Sequence, residues 1–166
     1  MSLFVTRIDL ALADHAQALL QLLDEYASHP NGGGKALSAE TQKNLIPALQ
    51  RRRDYLGLLA FEENQPVGLL NGFEGFSSFQ AKPLLNIHDL VVTASHRNRG
   101  IGQSLLQHAE NIACARGYCK LTLEVLSNNR QAQQAYRKFG FKAYELEQRL
   151  GHALFWEKSC PSSRQA

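Results

Sequence analysis

The stretch that decides the fold is Ile87-His88-Asp89-Leu90-Val91-Val92-Thr93-Ala94-Ser95-His96-Arg97-Asn98-Arg99-Gly100-Ile101-Gly102-Gln103. Leu84 to Val92 is largely apolar and β-branched at its end, so it reads as a strand. A short basic loop follows. Gly100 then opens a helix whose apolar positions, Ile101, Leu105, Leu106, Ala109, Ile112 and Ala113, recur with a 3.6-residue period until Gly117 stops it. Arg97-x-x-Gly100-x-Gly102 therefore sits where a strand feeds a helix. First-turn N–H groups have no partner inside their own helix and lie at the positive end of its dipole, which makes an anion site. Glycines let a ligand approach that backbone. Arg97 and Arg99 add charge, so phosphate or pyrophosphate is the natural guest. Two nucleotide motifs fit poorly. No Gly-Lys-Ser/Thr completes a Walker loop, and Leu105 stands where a dinucleotide fingerprint needs its third glycine.

Downstream, Cys119 to Leu126 alternates as a strand. Asn128 and Asn129 cap a helix running to about Phe139, and Gly140 ends it. This gives a second motif, Asn129-x-x-Ala132-x-x-x-Tyr136-x-x-x-Gly140-Phe141, with Ala132 and Tyr136 on one helical face. Phe141 to Leu146 and Ala153 to Trp156 read as closing strands around Leu150-Gly151.

Upstream, Leu3 to Asp9 is a first strand, and Asp14 caps a helix to about Tyr26. His29-Pro30-Asn31-Gly32-Gly33-Gly34 breaks the chain, and Ser38 opens a second helix that ends near Arg51-Arg52-Arg53. Tyr55 to Phe61 and Val67 to Phe73 form a hairpin around the turn Glu62 to Pro66, with a further break at Pro83. The order is β-α-α-β-β-β-α-β-α-β-β. It describes one α/β domain over residues 1–158, with a central mixed, mostly antiparallel sheet flanked by helices, then a polar tail at 159–166.

Composition narrows the classes. The chain has 166 residues, 44% hydrophobic and 20% charged, which is ordinary globular usage and not that of disorder. No apolar run approaches the ~18 residues of a membrane span. The net charge of +3 is too small a bias for a nucleic-acid partner. Three scattered cysteines, Cys114, Cys119 and Cys160, are neither a disulfide framework nor a zinc pattern, so no metal is expected. With no signal-like N-terminus, a cytoplasmic protein is expected.

Together the two motifs resemble the GNAT superfamily of acyl-CoA-dependent N-acyltransferases. Arg97-Asn98-Arg99-Gly100-Ile101-Gly102 is similar to its Gln/Arg-x-x-Gly-x-Gly/Ala loop, Leu90-Val91-Val92 to the preceding strand, and Asn129 through Phe141 to its other CoA-side motif. The resemblance implies transfer of an acetyl group from acetyl-CoA to a primary amine. It implies that the pyrophosphate rests on the amides of Asn98 to Gln103. The pantetheine arm would pair with the edge of Leu90 and Val92, and the Leu90 amide would polarise the thioester carbonyl. It makes Tyr136 the general acid, with Asn129 either touching the cofactor or only capping its helix. The base stays open between His88 and Asp89, which strict alternation would send to opposite faces, His88 beside Leu90 and Val92. Glu124 is a weaker candidate. Tyr26, His29, the glycine loop, Phe73, Phe76 and Phe79 border the acceptor side by family element order, and a homodimer through the closing strands is an option. The alternative is a catalytically silent acyl-CoA-binding module; a nucleotide-binding regulator using the same loop is a third reading.

Overall fold

The computed structural model describes residues 2–144 and 153–160. Among these residues five strands form one sheet in the order β1-β2-β3-β4-β5: β1 (Leu3–Arg7), β2 (Tyr55–Glu62), β3 (Gln65–Ser77), β4 (Lys82–Val92) and β5 (Leu121–Leu123). The first three pairings are antiparallel, and β4 pairs with β5 in parallel. Among the described residues four α-helices cover the sheet: α1 (Ala13–Ser28), α2 (Ala39–Gln50), α3 (Ile101–Ala115) and α4 (Arg130–Phe139). Through α4 this is the order read from the sequence.

Local chemistry explains most boundaries. Ser38 caps α2 by accepting the Thr41 N–H, and Asn129 caps α4 by accepting that of Ala132. At α1 the cap differs from expectation. Asp14 lies inside the first turn, where its charge suits the dipole, while Asp9 accepts the Ala11 N–H just upstream. The β2–β3 turn is tight because Glu63 and Asn64 both adopt positive φ, as a two-residue hairpin loop requires. Pro66 already lies within β3, at the irregularity opposite Phe61. β3 also continues past Phe73 to Ser77, and Pro83 sits near the start of β4 opposite Phe76 rather than breaking the chain.

Two apolar clusters hold the layers. On one face Ile101, Leu105, Leu106, Ala109 and Ala113 of α3 pack on Leu58, Val67, Leu70, Leu85 and Ile87. On the other, Ala18, Leu19 and Leu22 of α1 and Leu49 of α2 pack on Leu59, Leu69 and Val91. Each stripe is the apolar face of an amphipathic helix, and burial of about 25 cal/mol per Å² of apolar surface drives both. α3 approaches the sheet closely at Gly68, where an added Cβ would lie 2.9 Å from Ile101 Cγ2 and 3.0 Å from Leu105 Cδ1.

The C-terminal expectations need correction. The strand expected from Cys119 to Leu126 forms only over Leu121–Leu123, because its ladder partner β4 is lost after Ile87. Phe141 to Tyr144 form no strand. The Phe141 N–H bonds to the Tyr136 carbonyl, closing α4, and its ring packs on Tyr136 and Phe139. The rest of that expected strand, Glu145 and Leu146, and the turn at Leu150-Gly151 lie outside the described residues. Ala153 to Trp156 are exposed and pair with no strand among the described residues.

Substituting Gly68→Val should lift the start of α3 off the sheet. Urea denaturation should show a loss of roughly 1–3 kcal/mol, the usual cost of overpacking. An unchanged stability would mean that Ile101 and Leu105 yield freely.

Candidate active site

The site is built around an irregularity in β4. Gly72 faces Ile87 and Asn71 faces Asp89, so His88 is an additional residue on the β4 side, a β-bulge. Two things follow. First, the two-residue alternation is reset. Leu85 and Ile87 point to the α3 face before the bulge, and Leu90 and Val92 do so after it. His88 and Asp89 therefore share the opposite face, contrary to the expectation that they diverge and that His88 sides with Leu90. His88 packs edge-on to Phe73, with ring centroids 5.1 Å apart, and Phe73 belongs to the α1–α2 cluster together with Tyr55.

Second, the parallel ladder ends at the bulge. β5 pairs with Leu85, Asn86 and Ile87 and no further. The Thr93 N–H donates to Val67 of β3, so alternation turns the N–H and C=O of Leu90 and Val92 the other way, toward the unpaired edge. The Val92 carbonyl accepts from Arg97 Nε at 3.2 Å.

The loop beyond is held firmly. Asn98 and Gly100 adopt positive φ, +62° and +82°, and Gly100 is the residue from which α3 starts. The backbone amides of Ile101, Gly102 and Gln103 form the first turn, outside the intrahelical ladder that begins with Ser104 N–H to the Gly100 carbonyl. These amides could hold a phosphate or pyrophosphate. The arginines are partly committed elsewhere. Arg99 donates to Glu62 Oε1 at 2.7 Å, and His96 Nε2 lies 3.2 Å from Glu62 Oε2. Glu62, buried at the end of β2, thus ties the loop to the sheet. Its role was not visible in the sequence, where it reads as one more turn residue. On the other side Gln103 Nε2 donates to the Ala135 carbonyl and Gln131 Nε2 to Asn98 Oδ1, which ties the loop to α4.

Tyr136 of α4 packs against the α3-side cluster and on Phe141. Burial, with a smaller contribution from Tyr26, pushes its phenol up to about 12. It is a neutral O–H donor at any ordinary pH. The Asn129 side chain is engaged as the α4 cap at 3.1 Å. Asp89 is half-buried, and burial raises its carboxyl above the usual range. A hydrogen bond from Asn71 and the proximity of His88 oppose that shift. Tyr26 and Tyr55 are both raised by burial and by the Asp89 charge, so the three groups share one neighbourhood. Glu124 is exposed, just past the end of β5.

Beside His88 opens a cleft of about 440 Å³ lined by Arg52, Asp54, Phe73, Glu74, Gly75, Asn86 and His88. Arg52 pairs with Asp54 and lies over the Phe73 ring, 5.0 Å from its centroid. Of the residues expected near an acceptor, Phe73 lines this cleft and Tyr26 adjoins Asp89. Phe76 and Phe79 are exposed at the β3–β4 hairpin, and His29 caps the Pro30–Gly32 turn. Among the described residues no three His, Cys, Asp or Glu side chains gather as a metal site, and no helix is long and apolar enough to cross a membrane.

Comparison with known proteins agrees with this geometry. Residues 16–141 match the model of the acetyltransferase (GNAT) family. Streptothricin acetyltransferase of Streptomyces lavendulae is 37% identical over 102 residues, 57% of this chain and 54% of that protein, so the match spans about half of the relative's length. The uncharacterized N-acetyltransferase YhfO of Bacillus subtilis (strain 168) is 26% identical over 80% of this chain and 87% of its own. Among solved structures, an aminoglycoside acetyltransferase from an uncultured soil metagenomic sample superimposes with a TM-score of 0.78 at 19% identity, covering 96% of this chain and 97% of that one. By the extent of the family match, the chain belongs to the acetyltransferase (GNAT) family.

Proposed function

We propose that the protein transfers the acetyl group of acetyl-CoA to a primary amine of a small acceptor. The observation that carries this is the edge of β4 at Leu90 and Val92, which pairs with no strand among the described residues and leads directly to the N-terminus of α3. An extended pantetheine amide chain can add to such an edge as a strand would, while its pyrophosphate rests on the amides of Asn98 to Gln103. Arg97, which donates through Nε to the Val92 carbonyl, adds positive charge beside that anion site.

Acyl transfer needs three services. The thioester carbonyl must be polarised, and the outward Leu90 amide is the group for that. The attacking nitrogen must lose a proton as the C–N bond forms. Asp89, raised by burial and on the same sheet face as His88, which lines the cleft, is the acceptor we assign, with His88 bordering the amine. The leaving thiolate must be stabilised, and Tyr136 is the donor. A phenol near 12 holds its proton more tightly than a thiol at ~8.5, by about 5 kcal/mol. Tyr136 therefore acts first by hydrogen-bonding the developing thiolate, and full transfer lags behind C–S cleavage. The Glu74 carboxylate in the cleft wall suits a cationic amine, since that of Asp54 is held by Arg52. The name of one relative, an acetyltransferase of streptothricin, supports a small-molecule acceptor.

Three outcomes follow. Coenzyme A at a hundred times its Kd should stabilise the protein by about 2.7 kcal/mol in thermal unfolding, and acetyl-CoA with an amine panel should release thiol. No protection by coenzyme A contradicts the proposal, and protection without turnover of any amine favours the silent binding module. Tyr136→Phe should lower kcat by ~10–100-fold with little change in KM for acetyl-CoA, and the wild-type kcat should show no alkaline limb below pH 10. Equal kcat in the variant would remove Tyr136 from the chemistry. Asp89→Asn should abolish most turnover yet raise Tm by a few degrees at neutral pH. A carboxyl whose folded pKa is raised costs stability above its unfolded pKa, so this gain should vanish as the pH falls through the carboxylate range. A lower Tm at pH 7 would mean that the charged form is stabilised instead.

A further inference from the structure

Three adjacent strands contribute one side chain each to a directed chain of hydrogen bonds. The Tyr55 hydroxyl of β2 donates to Asn71 Oδ1 of β3 at 2.8 Å. Asn71 Nδ2 in turn donates to Asp89 Oδ2 of β4 at 3.0 Å. Asn71 is 4% exposed, and a buried amide without partners would cost about 1–3 kcal/mol. The bulge makes this contact, since it places Asp89 opposite Asn71 where an unbroken ladder would place His88.

The direction of the chain matters. An amide has one accepting and one donating end, and its neighbours decide which way it points. Turned over, Asn71 would present its oxygen to the Asp89 carboxylate and its NH₂ to Tyr55. That would set the amide oxygen against the carboxylate, and Tyr55 reinforces the observed direction by donating to Oδ1, since burial and the nearby Asp89 charge keep its phenol protonated.

We propose that Asn71 and Tyr55 are positioning residues for Asp89: Asn71 holds Oδ2 and aims Oδ1 at the acceptor nitrogen, and Tyr55 locks the amide in the orientation that favours the carboxylate. This rests on the acetyl-transfer reading for the purpose of Asp89, but the arrangement itself does not. The groups that face Asp89 are Tyr26 from α1, Tyr55 from β2, Asn71 from β3 and His88 from β4. Of these, only Asn71 is hydrogen-bonded to the carboxylate among the described residues. Without its N–H the carboxylate would keep its burial and lose the bond that offsets it.

The test is carboxyl ¹³C NMR on the ligand-free protein labelled at aspartate, with the Asp89 signal assigned by its loss in Asp89→Asn. Asn71→Leu should move the Asp89 midpoint upward by about one to two pH units, the worth of one hydrogen bond to a charged group. Tyr55→Phe, which keeps the ring and removes only the hydroxyl, should move it the same way by less. In turnover, both variants should lower kcat while KM for acetyl-CoA holds, and the acid limb of the kcat/KM profile, which reports the free enzyme, should move with the NMR midpoint. An Asp89 midpoint unchanged in folded Tyr55→Phe and Asn71→Leu overturns the proposal, as does an unchanged kcat. If Asn71→Leu does not fold, Tyr55→Phe alone decides. Failure of the acetyl-transfer reading is seen separately, as absent turnover in the wild type, and the NMR midpoints then decide the arrangement alone.

Discussion

One additional residue in β4 is the constraint on which the site depends. His88 bulges out of the β3–β4 ladder, and at that point β4 also leaves β5. A strand that loses its neighbour exposes a row of amide donors and acceptors, which is normally a hazard. Here the exposed edge runs to the start of α3, so the same backbone presents the outward amides of Leu90 and Val92 and then the first-turn amides of the helix. The bulge also resets side-chain alternation, which puts His88 and Asp89 on one face and Leu90 and Val92 on the other. The open edge and the face that carries His88 and Asp89 are thereby divided by a single strand.

The rest of the fold braces that arrangement from both sides. Below, α3 is drawn onto the sheet by five buried side chains and the gap left by Gly68. Above, α1 brings Tyr26 beside Asp89. Glu62 grips the loop through Arg99 and His96, and Gln103 grips α4 through the Ala135 carbonyl. Surface ion pairs contribute little to stability, but Glu62 is buried, so its partners gain in orientation what they would not gain in energy. Rigid support of this kind is what a site for group transfer needs, since misplacement by even an ångström is costly in rate.

Much of this was legible from residues. The periodicity of Ile101 to Ala113 gave α3 and its buried face, Ser38 and Asn129 announced their caps, and Arg97-x-x-Gly100-x-Gly102 marked the loop from which α3 starts. What escaped was governed by pairing between strands. A bulge has no composition signal here, so strict alternation put His88 and Asp89 on different faces. Without the bulge, nothing indicated that β5 would stop at Leu123. Asn71, Tyr55 and Glu62 read as ordinary strand and turn residues, and they gain meaning only when three strands lie side by side.

The most direct measurement is amide hydrogen exchange, resolved by residue, with and without coenzyme A. Leu90 and Val92 should exchange quickly in the free protein and become protected with coenzyme A, together with Gly100 to Gln103, while Asp89 and Val91, turned to β3, change little. Protection of Leu90 and Val92 in the free protein, or no change on adding coenzyme A, would contradict the claim that β4 offers an open edge to the cofactor.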